Sequence, residues 1–260
     1  MILIATGLKR EARLLAGPSA LAVPGGGDGA RLERELEAAA AGAEAILSMG
    51  LCGALAEGLR PGDWVVASEV LFFPLIPAKA GTQAFSAATP PAPDSKATNL
   101  GPRFRGDERT LMTDESWTGA LAGRLSARVG RLLASDSMLA DADAKRAAHR
   151  ATSALAVDME SHIAAAVAAR HGLPFAVARV VSDGADRSLP KAAQAGMAAD
   201  GGMDIAAVLR ALAADPRQLP ALIRVGREAE TAFRALGRGR DLLGPRLGRL
   251  DLGQLALDVV

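Results

Sequence analysis

Short apolar runs recur along this chain, each closed by Gly, Ser or Asp and most of them followed by a helical pattern. Met1–Ala5 ends at Thr6-Gly7, Ala20–Val23 at Pro24 and a glycine triplet, and Ala45–Met49 at Gly50. Arg131–Ala134 ends at Ser135-Asp136-Ser137, and Phe175–Val181 at Ser182-Asp183. Runs this short and this nearly continuously apolar, Phe175–Val181 being interrupted only by Arg179, read as strands covered on both faces. Trp64–Leu71 and Ala154–Val157 read as further strands. Helices are predicted at Ala30–Ala41, Asp141–Arg150, Glu160–His171, Asp204–Ala213 and Leu219–Leu236. The alternation predicts an α/β fold: a single domain over residues 1–236, with a mixed, mostly parallel central sheet flanked by helices. Such sheets bind ligands at their carboxyl edge, where these runs place glycines and short polar residues.

Two stretches depart from the pattern. Residues 74–109 are rich in Pro, Ala, Ser, Thr and Gly, have neither helix nor strand periodicity, and read as a disordered insertion. The words Ile76 to Gln83 and Pro102 to Asp107 look like the two ends of a translated mobile repeat, so the segment reads as a passenger. Residues 237–260 read as a basic and apolar tail. With the arginines that follow Leu219, the tail gives a surface that could dock on an anionic membrane, beside the plainer reading of a surface helix with a frayed end.

Composition narrows the function. Lys and Arg number 30 against 29 Asp and Glu, aromatics are 3% and Tyr is absent. Neither a basic footprint nor a stacking platform for nucleic acid is present. A lone cysteine, Cys52, excludes an internal disulfide and reads as a packed side chain. The three histidines, His149, His162 and His171, read as surface or helix-end positions without metal-ligand spacing, so no metal is expected. The N-terminal run is short and uncharged for a leader, and no apolar run is long enough to span a bilayer. A cytoplasmic location is the expectation, with peripheral membrane contact as the variant.

Four segments carry candidate chemistry. Asp158-Met159-Glu160-Ser161 stands at a strand-to-helix junction, where a carboxylate can accept from a sugar diol or simply cap the helix. Ser182-Asp183-Gly184 ends an apolar strand, where an Asp can serve as a general acid or close an Asx-turn. Thr6-Gly7 precedes Glu11 on the next helix, which by itself reads as a solvated carboxylate. The glycine loops containing Gly27 and Gly50 allow close approach of a ligand to the backbone. Neither loop has Walker A or dinucleotide-binding spacing.

Together, in this order and spacing, the four segments resemble the nucleoside phosphorylase superfamily. The motifs look most like bacterial methylthioadenosine/adenosylhomocysteine nucleosidases. Asp158–His162, Arg170–Phe175 and Gln218–Ile223 are similar to the hopanoid-associated purine phosphorylase branch. The resemblance covers nearly all of the chain outside residues 74–109. It implies that Asp183 protonates or hydrogen-bonds purine N7 with Ser182 beside it, and that Glu160 holds the ribose hydroxyls. It further implies that Met159 packs under the sugar, that Met138 lies against the base, and that Glu11 activates water. Leu51 stands where the nucleosidases carry a small hydroxyl residue, and Glu11 falls near the arginine that holds phosphate in phosphorylases.

The expected activity is cleavage of a purine N-glycosidic bond with release of adenine. Adenosylhopane is the implied substrate, and methylthioadenosine or adenosylhomocysteine the alternative. A non-catalytic nucleoside binder is the reading from outside enzymology. The expected partner is a small or lipid-linked adenine nucleoside, with a homo-oligomer by analogy. No cofactor is implied, and phosphate stays open as a co-substrate.

Overall fold

The computed structural model describes residues 1–72, 103–105, 108–196, 201–202 and 204–249. Nine strands form one sheet: β1 (Ile2–Thr6), β2 (Ala20–Pro24), β3 (Ala45–Ala54), β4 (Trp64–Phe72), β5 (Arg103–Arg105), β6 (Glu108–Met112), β7 (Arg128–Ala134), β8 (Ala156–Asp158) and β9 (Phe175–Asp183). Among the described residues eight α-helices accompany them: α1 (Lys9–Leu15), α2 (Gly29–Ala40), α3 (Glu115–Leu125), α4 (Ala142–Thr152), α5 (Ser161–His171), α6 (Lys191–Ala195), α7 (Ile205–Ala214) and α8 (Leu219–Leu243).

The sheet is mixed, as expected. β1 pairs in parallel with β2 and β3, β3 with β9, β4 with β7, and β7 with β8. The antiparallel pairings are β3 with β8, β4 with β6 and β9, and β5 with β6. The long strands β3 and β4 each take extra partners, so β3, β9, β4, β7 and β8 close into a ring. The ends of β1, β3, β8 and β9 thereby meet, although their segments are far apart in the chain. A bulge on β9 at Ser182 shifts its register against β3, pairing Val181 with Cys52 but Asp183 with Gly53. Bulges re-aim side chains next to functional sites. Here Ser182 is skipped by the ladder and its hydroxyl donates to the Cys52 carbonyl at 3.0 Å.

Helices α2 and α5 bury Leu32, Leu36, Ile163 and Val167 against one face of the sheet. Helices α1, α3 and α8 bury Leu15, Trp117, Leu121, Phe233, Leu236 and Leu243 against the other. Each fully buried Leu or Val contributes roughly 1.5–3 kcal/mol, so these two layers account for most of the driving force. Asp28, Asp114, Asp141 and Asp204 start their helices by accepting from backbone N–H groups of the first turn.

Four expectations need correction. The stretch read as structureless from 74 to 109 ends earlier, because Arg103–Arg105 and Glu108–Met112 pair as a hairpin continuing from β4. Three residues are too few to show a period in sequence, and β5 is defined only by its pairing with β6. The rest of that stretch lies outside the described residues, as does the tail beyond Arg249. The last helix does not stop at Leu236. It runs to Leu243, which is buried, as is Leu247 in the turns that follow, and the Trp117 indole donates to the Leu247 carbonyl at 2.9 Å. Two of the basic residues there are engaged: Arg240 donates to the Leu15 and Gly244 carbonyls, and Arg249 pairs with Glu44. Finally, His162 is no surface residue. Its ring stacks on Phe72 with centroids 4.3 Å apart, and burial pushes its pKa down. Among the described residues no helix is long and apolar enough to cross a membrane.

Candidate active site

The carboxyl ends of β1, β3, β8 and β9 carry buried charge, and the sequence reading found only part of it. At the centre lies Arg179 on β9, fully buried. Its Nε lies 2.7 Å from Asp158 Oδ2 as an ion pair without hydrogen-bond alignment. Its Nη2 lies 3.2 Å from Glu160 Oε2 and donates to the Ser48 hydroxyl at 2.6 Å, and Nη1 reaches the Leu51 carbonyl at 3.4 Å. Burial opposes the charge on Arg179. The carboxylates of Asp158, Glu160 and Glu11 outweigh that penalty and raise its pKa. An arginine inside an otherwise apolar strand was the available signal, since a charge is kept there only when it is paired.

Glu11 follows the first strand at the third position of α1 and is 2% exposed, so it is not a solvated helix carboxylate. Oε2 accepts from the Thr6 hydroxyl, from the Gly7 N–H at 2.7 Å and from the Leu8 N–H at 2.8 Å. The last of these is the reach-back of an N3 glutamate to the chain before its helix. Oε1 accepts from the Leu51 N–H at 3.0 Å and has no second donor among the described residues. Gly50 permits this assembly. A Cβ there would fall 2.9 Å from both Arg179 Nη1 and Glu11 Oε2, and 3.0 Å from Thr6 Oγ1.

Asp158 and Glu160 divide the two roles open to the junction. Asp158 caps α5, taking the Ser161 N–H at 3.2 Å and the Ser161 hydroxyl. Glu160 instead lines a cavity of about 230 Å³ with Met159, Asp136, Gly25, Gly27 and Ile163. Burial pushes the Glu160 carboxyl up to about 7; Arg179 opposes the rise, while Asp158 and Glu11 add to it. Gly7 brings the two glutamates together, because a Cβ on it would meet Glu160 Oε1 at 3.1 Å and Glu11 Oε2 at 3.4 Å. Gly27 has φ 81°, in the left-handed region that favours glycine, and turns the loop at the cavity wall.

Asp183 ends β9, and its oxygens are held separately. Ser182 Oγ lies 2.6 Å from Oδ1, its one proton shared between that oxygen and the Cys52 carbonyl, and the buried Lys145 ammonium contacts Oδ2. Lys145 went unnoticed in the sequence because it lies within a polar helix pattern. Of the residues expected at the site, Glu160, Met159 and Gly27 share the cavity, and Glu11 and Gly50 join Glu160 through Arg179 and Gly7. Asp183 and Ser182 stand on the same sheet edge beside Gly53 but are not in the cavity wall. Met138, half-buried in the loop after β7, is likewise outside that wall. Among the described residues no group of three or more His, Cys, Asp or Glu could hold a metal. Cys52 is buried, and burial raises its pKa well above the usual thiol value, which makes it a poor nucleophile.

A family model described as the phosphorylase superfamily matches residues 20–214. No curated protein matches. Among solved structures, the chain resembles S-adenosylhomocysteine nucleosidase from Streptococcus pyogenes in complex with 5-methylthiotubericidin. That match has 22% identity and TM-score 0.52, and covers 72% of this chain and 85% of the other. A Borrelia burgdorferi protein described as a 5′-methylthioadenosine/S-adenosylhomocysteine nucleosidase and bound to adenine matches at 14% identity and TM-score 0.57, over 94% and 99% of the two chains. The Helicobacter pylori 5′-methylthioadenosine/S-adenosylhomocysteine nucleosidase, in complex with a substituted pyrrolidin-3-ol, matches at 14% identity and TM-score 0.56, over 100% and 98%.

Proposed function

The chain belongs to the phosphorylase superfamily, and from that premise we propose that it cleaves the N-glycosidic bond of an adenine nucleoside at the carboxyl edge of its sheet. The observation that carries this reading is the pairing of Glu160 and Glu11 around Gly7, tied by Arg179 and next to a glycine-walled cavity.

Chemistry assigns the parts. The departing purine gathers negative charge, so Asp183, with Ser182 beside it, serves N7; help of this kind contributes roughly 10²–10⁴-fold. The ribose becomes oxocarbenium-like as the bond stretches. Glu160 holds its hydroxyls and stabilises the developing positive charge, with Met159 beneath the sugar and Met138 against the base. Four donors fix Glu11, yet Oε1 carries only one of them and keeps a lone pair for the attacking water.

Water is favoured over phosphate as the nucleophile. Two buried carboxylates repel an anion, and Arg179 is already occupied by Asp158, Glu160 and Ser48. Arg10 offers no help: it points outward, paired with Glu230 at 2.8 Å and lying over the Phe233 ring.

For the 5′ substituent the reading favours an apolar group, adenosylhopane being the member that the sequence resemblance suggests. Gly201 packs across the β1–α1 and β2–α2 loops, its carbonyl accepting from the Lys9 N–H at 3.0 Å. Helix α7 follows that strap and buries none of its side chains, with Ile205 and Leu209 exposed. An apolar surface beside the strap suits a lipid-linked nucleoside and contact with a membrane surface.

The test is adenine release from 5′-methylthioadenosine and from a long-chain 5′-alkyl adenosine, each with and without phosphate. The reading expects phosphate-independent release and preference for the alkyl compound. No release from either compound defeats it, and strict dependence on phosphate defeats the hydrolytic form.

A further inference from the structure

We infer that Lys145 is a positioning residue for Asp183, its ammonium neutralising the carboxylate that serves the leaving purine. The inference rests on the functional reading above and assigns a role to a helix, α4, that lies outside the four chemistry-bearing segments.

Lys145 has 0% exposure. Its ammonium has three protons and three acceptors: Asp183 Oδ2, the Gly184 carbonyl at 3.2 Å and the Arg187 carbonyl at 3.0 Å. The start of α4 is fastened to the same loop. Ser188 Oγ accepts from the Ala142 N–H at 3.0 Å, and the Ala140 carbonyl accepts from the Leu189 N–H at 2.8 Å. The loop behind the acid is thus secured at both ends of its length, and hydrogen bonds between backbone and hydroxyl groups suffice for that. Burying an ammonium carries a large desolvation cost that an apolar side chain of similar volume would avoid. The charge itself is what an apolar replacement could not supply, and it is set against one oxygen of Asp183.

The chemistry gives that charge a use. A bare carboxylate next to a purine that is becoming anionic would raise the barrier by repulsion. Paired with Lys145 it forms a unit with no net charge. Passing one proton of that unit to N7 leaves the pair with one negative charge. The C1′–N9 electrons stay on the base, the ribose carbon bonds the oxygen of the incoming water, and the proton that water sheds passes to Glu11. Ser182 on Oδ1 and Lys145 on Oδ2 also fix the plane of the carboxylate, so that the same oxygen meets N7 at every turnover.

A leaving group that needs no proton separates this role from a structural one. Lys145→Met is compared with the unmodified protein on 5′-methylthioadenosine and on 4-nitrophenyl β-ribofuranoside. The inference expects kcat on methylthioadenosine to fall about 10²-fold, the size typical of losing one charge-stabilising donor, with KM within about 3-fold. Turnover of the nitrophenyl riboside stays within about 3-fold of the unmodified protein. Lys145→Ala gives a second reading: ethylammonium should restore its methylthioadenosine activity, and ethanol should not. Equal losses on both substrates, no loss on either, or equal rescue by ethanol would overturn the inference. An unmodified protein that releases no adenine defeats the functional reading itself, whereas an active one with an unimpaired Lys145→Met defeats only the role of Lys145.

Discussion

Replacing Arg179 with Met should destabilise the protein by about 4 kcal/mol, the middle of the range for breaking a buried ion cluster from one side. Arg179 is fully buried; Asp158 lies 2.7 Å from it, Glu160 lies 3.2 Å away and the Ser48 hydroxyl accepts at 2.6 Å. Methionine fills much of the volume but leaves two acidic groups facing each other with no cation. Losing a charged hydrogen bond to Ser48 alone removes about 1.5–3 kcal/mol. The remainder comes from carboxylates that must then be protonated or left uncompensated. For a chain of this size the total corresponds to a fall in Tm of about 10 °C. Urea unfolding at neutral pH reads the free energy directly. Adding Asp158→Asn to the Arg179→Met protein should recover at least about 1 kcal/mol, because it removes one of the stranded charges. A loss below about 1 kcal/mol in the single variant, or a double variant weaker than the single, would refute the picture of a charge-balanced cluster.

Further outcomes follow from the same geometry. The Glu160 carboxyl is raised from its ordinary 4.5 to about 7, so the folded state holds its proton more tightly than the unfolded state does. That stabilisation is full below about 4.5 and is lost as pH rises through about 7, a change of about 3 kcal/mol. The Tm difference between the native protein and Glu160→Gln should therefore vary across pH 4.5–7.5, and a constant difference would contradict the assignment. Gly50→Ala places a Cβ 2.9 Å from Arg179 and Glu11, so kcat should drop more than about 10-fold with about 1–3 kcal/mol lost, read by turnover and urea unfolding. Leu247→Ala should cost about 2–5 kcal/mol in denaturant unfolding, because Leu247 is 0% exposed; a frayed tail would show no loss.

Much of this arrangement was legible in the chain, for physical reasons that also explain the gaps. Strands ending in Gly, Ser or Asp announce themselves through local pattern, so β1, β3 and β9 and the residues Glu11, Gly50, Glu160 and Asp183 could be placed on one edge. Helix α3 carried weaker periodicity and was passed over. Arg179 and Lys145 were missed as parts of the site for another reason. What makes each of them matter is a partner far away in the chain: Ser48 and Asp158 for Arg179, Asp183 for Lys145. Strand β5 was missed because three residues show no period; only its pairing with the neighbouring β6 defines it. The end of α8 was misjudged because its arginines suggested solvent, whereas Arg240 spends its donors on backbone carbonyls and leaves Leu243 and Leu247 in the core.

A crystal structure with the adenosine analogue formycin A tests the central claim most directly. The account predicts the base with its five-membered ring within hydrogen-bond distance of Asp183, and the ribose hydroxyls on Glu160 above Met159. A nucleoside bound elsewhere, or one that reaches Glu160 while Asp183 and Lys145 remain closed to it, would contradict the account.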